Sequence, residues 1–181
     1  MSSRNRFFSS RDLALIIVFS SLGAVVSVPV GHLGNFLKTI PVLPFGVGQF
    51  LAGVHVLWIV LAATLVGKKG SGTMTGILKG LVEMALFSYH GVQVILISAV
   101  EGAVVDLVLL PFTNIDVKSL YLSGGLASAS NVAVLQFVLR LPLPTFVYAF
   151  MYMASFISGL FFAGQIAKIV HKIVSETPLA V

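Results

Sequence analysis

Apolar residues run almost unbroken along this chain, and that feature decides what it can fold into. Hydrophobic residues make up 57% of the sequence and charged residues only 9%, where a soluble domain carries about 25% charged residues. Mean hydropathy is +1.05. A segment in hydrocarbon has no water to bond its peptide groups, so it must satisfy them internally, and an α-helix does so. The chain therefore reads as an all-α integral membrane protein, one domain over residues 1–181, with no room for a separate soluble module.

The punctuation predicts six spans, near 12–30, 46–66, 72–89, 91–112, 119–140 and 143–172. The breaks are "PVGHLGNFLKTIPVLPFG", "GKKGSG", "SYHG", "FTNIDVK" and "RLPLP", each holding residues that end helices. The first apolar run is too long for a signal peptide and lacks a small-residue cleavage site, so it reads as a retained helix. With the N-terminus inside, Arg4, Arg6, Arg11, Lys68, Lys69, Lys118, Lys168 and Lys172 lie inside, against Lys38 and Arg140 outside. This bias places both termini in the cytoplasm. It also explains the net charge of +5 without nucleic acid. The first connection, Gly31 to Phe45, is long, outward and mixed with His32, Asn35 and Lys38; it reads as a lid or as an ordinary surface loop.

Small residues recur at four-residue spacing. Gly72, Gly76 and Gly80 share one stripe of the third span, and Ser155, Gly159, Ala163 and Ala167 one of the sixth. The first span carries Ser20 with Ala24 and Gly23 with Ser27. Such stripes let helices approach closely in lipid. They serve packing within the bundle or a surface offered to another membrane protein.

Four ionisable groups interrupt spans three and four: Lys79, Glu83, Glu101 and Asp106. Each charge at the bilayer centre costs roughly 2.5–3.5 kcal/mol, so four facing lipid would cost on the order of 10 kcal/mol. They are expected to face inward. Lys79 and Glu83, four residues apart, can pair along one helix face. Asp106, towards the cytoplasm, is expected to reach the interface or meet Lys68 or Lys69. Glu83 and Glu101 are candidates for a polar pocket. Gln49, His90, Gln93, Asn131, Gln136, Tyr148 and Tyr152 sit at a similar outer depth and are expected to converge with them on a small-molecule site.

No enzyme motif accompanies this set. "GKKGSGT" lacks the order of a phosphate loop, and neither H-E-x-x-H nor G-x-S-x-G occurs. The four His are scattered and Cys is absent, so a thiolate metal site and a Cys nucleophile are excluded. No resident cofactor is expected.

The architecture resembles the substrate-binding S components of energy-coupling factor (ECF) vitamin transporters. "FGVGQFLAGVHVLWIVLAATLVGKKGSGTMTGILKGLVEMAL" followed by "SAVEGAVVDLVL" is similar to the YkoE-like branch. That branch carries a Glu in span three and a polar-Gly-x-x-x-acidic pattern in span four; Glu83, Glu101 and Asp106 fall on those positions, although Glu101 stands where an amide is expected. The resemblance implies capture of a vitamin from outside, then association with a transmembrane coupling subunit and two ABC ATPase subunits. It implies docking through a small-x-x-x-small motif on the first helix, matched by Ser20 and Ala24. It implies thiamine or hydroxymethylpyrimidine as cargo. A cationic thiazolium would suit Glu83 and Glu101 beside Tyr148, Tyr152 and Trp58. A stand-alone proton-coupled transporter is the alternative, with Glu83 or Glu101 as proton carrier.

Overall fold

The computed structural model describes residues 8–37, 47–88, 90–112 and 115–177, and these form helices with no strand among them. Helix α1 is Ser10–Leu37. Helix α2, Gly48–Val66, opens with a 3-10 turn at Val47–Leu51. Helix α3 is Ser71–Ala85 and α4 is Gln93–Leu109. Helix α5, Val117–Ala133, continues into a wide π turn at Val134–Val138. Helix α6, Thr145–Glu176, carries a π segment at Gly159–Gly164.

Successive helices alternate in direction, as contacts at one end show. Lys68, in the α2–α3 turn, pairs with Asp12 at the start of α1 at 2.6 Å. Tyr121, early in α5, hydrogen-bonds Gln165, late in α6. The start of α1 and the end of α6 thus share one end of the bundle, called basal here; the opposite end is distal.

Over Ala52–Val66 helix α2 is almost wholly apolar and buries ten of fifteen residues, the pattern of a helix enclosed by others. Val56, Ile59, Val60 and Leu61 form the core with Val105 of α4, Ala127 of α5 and Ala163 of α6. The surface is equally apolar: Phe161 is 72% exposed and Leu107 63%. Charge buried and hydrocarbon exposed is the inverse of a soluble protein, and marks this as a membrane protein.

Helices α1, α2 and α6 are long and apolar enough to cross a membrane. Helices α3, α4 and α5 have 15, 17 and 17 residues, shorter than the roughly 20 that span about 30 Å of hydrocarbon. The six helices match the six expected segments in number and order, with shifted ends. Helix α1 runs on to Leu37 because Gly34 packs against α2, a Cβ there lying 3.5 Å from the Gly48 Cα. His32 and Asn35 therefore ride on a helix, where a loop from Gly31 was expected; the stretch from Lys38 to Phe45 lies outside the described residues.

The "GKKGSG" break is a glycine turn. Gly67 and Gly70 hold φ of 64° and 85°, left-handed conformations that cost a side chain dearly. Further along α3, Gly72, Gly76 and Gly80 press on α4, and the closeness is backbone on backbone. A Cβ on Gly80 would lie 2.7 Å from the Ile95 Cα, and one on Gly72 would lie 2.8 Å from the Gly102 carbonyl. The same device joins α5 to α6, where a Cβ on Gly124 would meet the Gly159 carbonyl at 2.6 Å.

Gly80→Ala is therefore expected to destabilise the protein by about 1–3 kcal/mol through overpacking. Gly31, with no atom within 4 Å of a built Cβ, is the control: Gly31→Ala should be neutral or raise the melting temperature. Thermal unfolding of both variants in one detergent checks the contrast.

Candidate functional site

The charged residues of α3 and α4 face inward, as their cost in lipid requires. Lys79 is 1% exposed, Glu83 2% and Glu101 1%. Lys79 and Glu83 form an ion pair along one face of α3. The Lys79 ammonium also lies 3.4 Å from the Ser98 hydroxyl of α4. Its aliphatic stem runs beside Gly23 of α1, where a Cβ would lie 3.2 Å from the Lys79 Cδ and 2.9 Å from the Trp58 Cβ. The glycine in α1 leaves space for a lysine in α3.

On α4, the Glu101 Oε1 accepts a hydrogen bond of 3.2 Å from the Asn131 amide of α5. Its other oxygen, Oε2, is buried and has no hydrogen-bond partner among the described residues. An unpartnered buried carboxylate oxygen is expensive, so its presence needs a reason.

That reason is a cavity. Glu83, His90, Glu101 and Asn131 line it, together with His55, Lys79 and Ser98. Its volume is about 30 Å³, enough for roughly two waters. One ammonium here faces two carboxyl groups. Buried charges are stable only when paired, so an ionised Glu101 calls for a further cation or for strong donors in the cavity.

Of the nine expected ligand residues, these four come together and five do not. Gln49 accepts from the Ser155 hydroxyl at 2.7 Å. Gln136 accepts from the Tyr152 hydroxyl at 2.9 Å, and the Tyr148 hydroxyl donates to the Leu141 carbonyl at 2.6 Å. These groups tie helices together at the distal end. Gln93 is exposed at the start of α4. Trp58 packs between α1 and α2, outside the cavity wall. His55 was missed: no spacing marks a single histidine in an apolar helix, and only the packing of α2 against α3 reveals it.

Two further expectations change. The Ser20–Ala24 stripe faces into the bundle. Both residues are buried, and the Ser20 hydroxyl donates to the Thr75 carbonyl of α3 at 3.1 Å. In this arrangement the stripe packs α1 on α3, the first of the two roles open to it. The α6 stripe likewise turns Gly159 and Ala163 onto Gly124 of α5.

Asp106 does not take Lys68, which pairs with Asp12. Its carboxylate accepts the Gly72 and Thr73 N–H groups at 2.9 and 2.7 Å and the Thr73 hydroxyl at 2.6 Å. It caps the start of α3 from another helix, where peptide N–H groups lack partners and the helix dipole favours an anion.

Asp106→Ala should therefore cost about 1.5–3 kcal/mol, the range for hydrogen bonds to a charged group. The melting temperature should fall while ligand affinity of the folded fraction stays as in wild type. A loss of affinity equal to that of a cavity variant would place Asp106 in the binding site instead.

Comparison with known proteins gives two findings. A family model described as the permease component of an ABC-type cobalt transport system matches residues 11–130. A solved structure described as a crystal structure of an S-component of an ECF transporter aligns with a TM-score of 0.84 and 25% identity. It covers 96% of this chain and 88% of that one. No curated protein sequence matches this chain.

Proposed function

This chain belongs to the family of ABC-type cobalt transport system permease components, and on that footing we propose that it is the substrate-binding S component of an ECF-type importer. In this reading it is a six-span protein of the cell membrane with both termini in the cytoplasm. It captures cargo from the distal, outward end and works with a transmembrane coupling subunit and two ABC ATPase subunits. It carries out no catalysis of its own. The likeness to a solved S-component over 96% of the chain supports the role.

The cargo is a small organic cation, with thiamine as the leading candidate and its hydroxymethylpyrimidine precursor as the neutral comparison. The observation that carries this is the pair of carboxyl groups, Glu83 and Glu101, set against the single ammonium of Lys79 in a buried cavity. A cationic cargo completes the pairing and occupies the free Glu101 oxygen. Cobalt, as cargo, fits less well. Among the described residues no group of three His, Asp or Glu is placed to hold a metal ion, and an ammonium in the cavity repels a bare dication. The cavity as it stands is too small for a vitamin, so cargo entry requires its walls to part.

Titration of the purified protein with thiamine, hydroxymethylpyrimidine and Co²⁺, all without ATP, tests the reading. Thiamine should bind, and Glu101→Gln should weaken it about tenfold to a hundredfold, the equivalent of a charge-assisted hydrogen bond. The neutral pyrimidine should lose much less. Binding of Co²⁺ with no binding of either organic ligand would overturn the cargo assignment. A strict requirement for nucleotide would count against an S component.

A further inference from the structure

The pairing in the cavity points to a role for Lys79 beyond neutralising Glu83. We infer that Lys79 is a built-in cation that sets the charge the site accepts, limiting the cargo to one positive charge. The inference rests on the cargo reading above and deepens it.

Three observations carry it. First, Lys79 lines the cavity together with both carboxyl groups, so its charge acts on whatever enters. Second, its position is fixed. The stem is held beside Gly23 of α1, and the head is held by Glu83 and Ser98. Third, its partner is shared with the cavity, since Glu83 also lines the wall. A lysine present only to neutralise Glu83 would need no place on the cavity wall.

Charge counting then gives a definite order. With Glu83 and Glu101 ionised, wild type offers a net charge of −1 to an incoming cation. Removing the ammonium leaves two carboxyl groups, and removing the Glu83 charge leaves one of each sign. Removing both restores the wild-type count. In a low-dielectric cavity these differences are felt strongly.

Four proteins test it: wild type, Lys79→Met, Glu83→Gln and the double variant Lys79→Met/Glu83→Gln. Each is titrated with thiamine, with hydroxymethylpyrimidine and with tetramethylammonium, a bare monocation. Thiamine should bind tightest to Lys79→Met, equally to wild type and the double variant, and weakest to Glu83→Gln, with steps of about tenfold. The neutral pyrimidine should change much less and should not follow this order. Melting temperatures should fall in both single variants and recover in the double variant, because each single variant strands a buried charge. The affinity order is the informative part, since a purely structural ion pair would move stability and leave it unchanged.

A folded Lys79→Met that loses thiamine affinity would make Lys79 a direct donor to the cargo and overturn the inference. So would a double variant that binds thiamine as weakly as Glu83→Gln. If tetramethylammonium follows the expected order while thiamine does not bind wild type, the thiamine assignment falls and the role of Lys79 stands. If neither cation binds, both fall.

Discussion

An ammonium and two carboxyl groups have been placed out of reach of bulk solvent, and the rest of the bundle follows from that. Facing lipid, Lys79, Glu83 and Glu101 would each cost a few kcal/mol. Helix α3 must therefore turn its charged face inward, with α1 behind it, α2 beside it and α4 across from it. Helix α2, apart from His55 at the cavity, can then be largely apolar, because it fills the core between α4, α5 and α6. The ion pair within α3 needs no partner from elsewhere, which leaves Glu101, on α4, as the group whose charge the chain does not balance.

Holding that charge set rigidly calls for close helix contact, and in lipid close contact comes from small residues. Glycines on α3 bring its backbone onto α4, so Lys79 and Ser98 come within reach of each other. Gly23 on α1 makes room for the lysine stem. On α5, Gly124 packs against Gly159 in the π segment of α6, and Asn131 reaches across to Glu101 of α4. Each small-residue stripe in the sequence is thus accounted for by packing inside one chain. Asp106 belongs to the same framework: by capping α3 from α4 it fixes the basal register of the two helices that carry the charges.

Much of this was legible in the sequence, for reasons of cost. Burial of the three central charges followed from their price in hydrocarbon, and the order of the helices followed from glycine, proline and polar breaks. What was not legible is direction. Spacing of four says that Ser20 and Ala24 share a face; it cannot say which neighbour that face meets, and the face meets α3. Depth gave Gln49, Gln136, Tyr148 and Tyr152 a common level without convergence, because an amide or phenol in lipid must find a partner and these found one on a neighbouring helix or turn. Helix ends shifted where packing outweighed local preference, as at Gly34 in α1. His55 carried no local signal, since its neighbours in α2 are apolar on every side.

The unequal packing of the two ends bears on how a cavity of about 30 Å³ could admit a cargo. Its floor is fixed: the glycine contacts of α3 on α4 run from Gly72 to Gly80, and Glu101 is tied to α5. Beyond Gly80 the glycine contacts end, and the chain turns back with the Ser88 N–H donating to the Glu83 carbonyl at 3.0 Å and the Gly91 N–H to the Ser88 carbonyl at 2.9 Å. Leu86, Phe87 and Val92 at the distal turn are exposed, and Phe87 holds a left-handed backbone with φ of 59°, a conformation costing a non-glycine residue about 1–2 kcal/mol. Widening the floor would break the glycine contacts and strand charges, whereas the distal glycine, Gly91, has nothing within 4 Å of a built Cβ. An opening at the distal end would leave the charge arrangement intact while the space to hold a cargo is made.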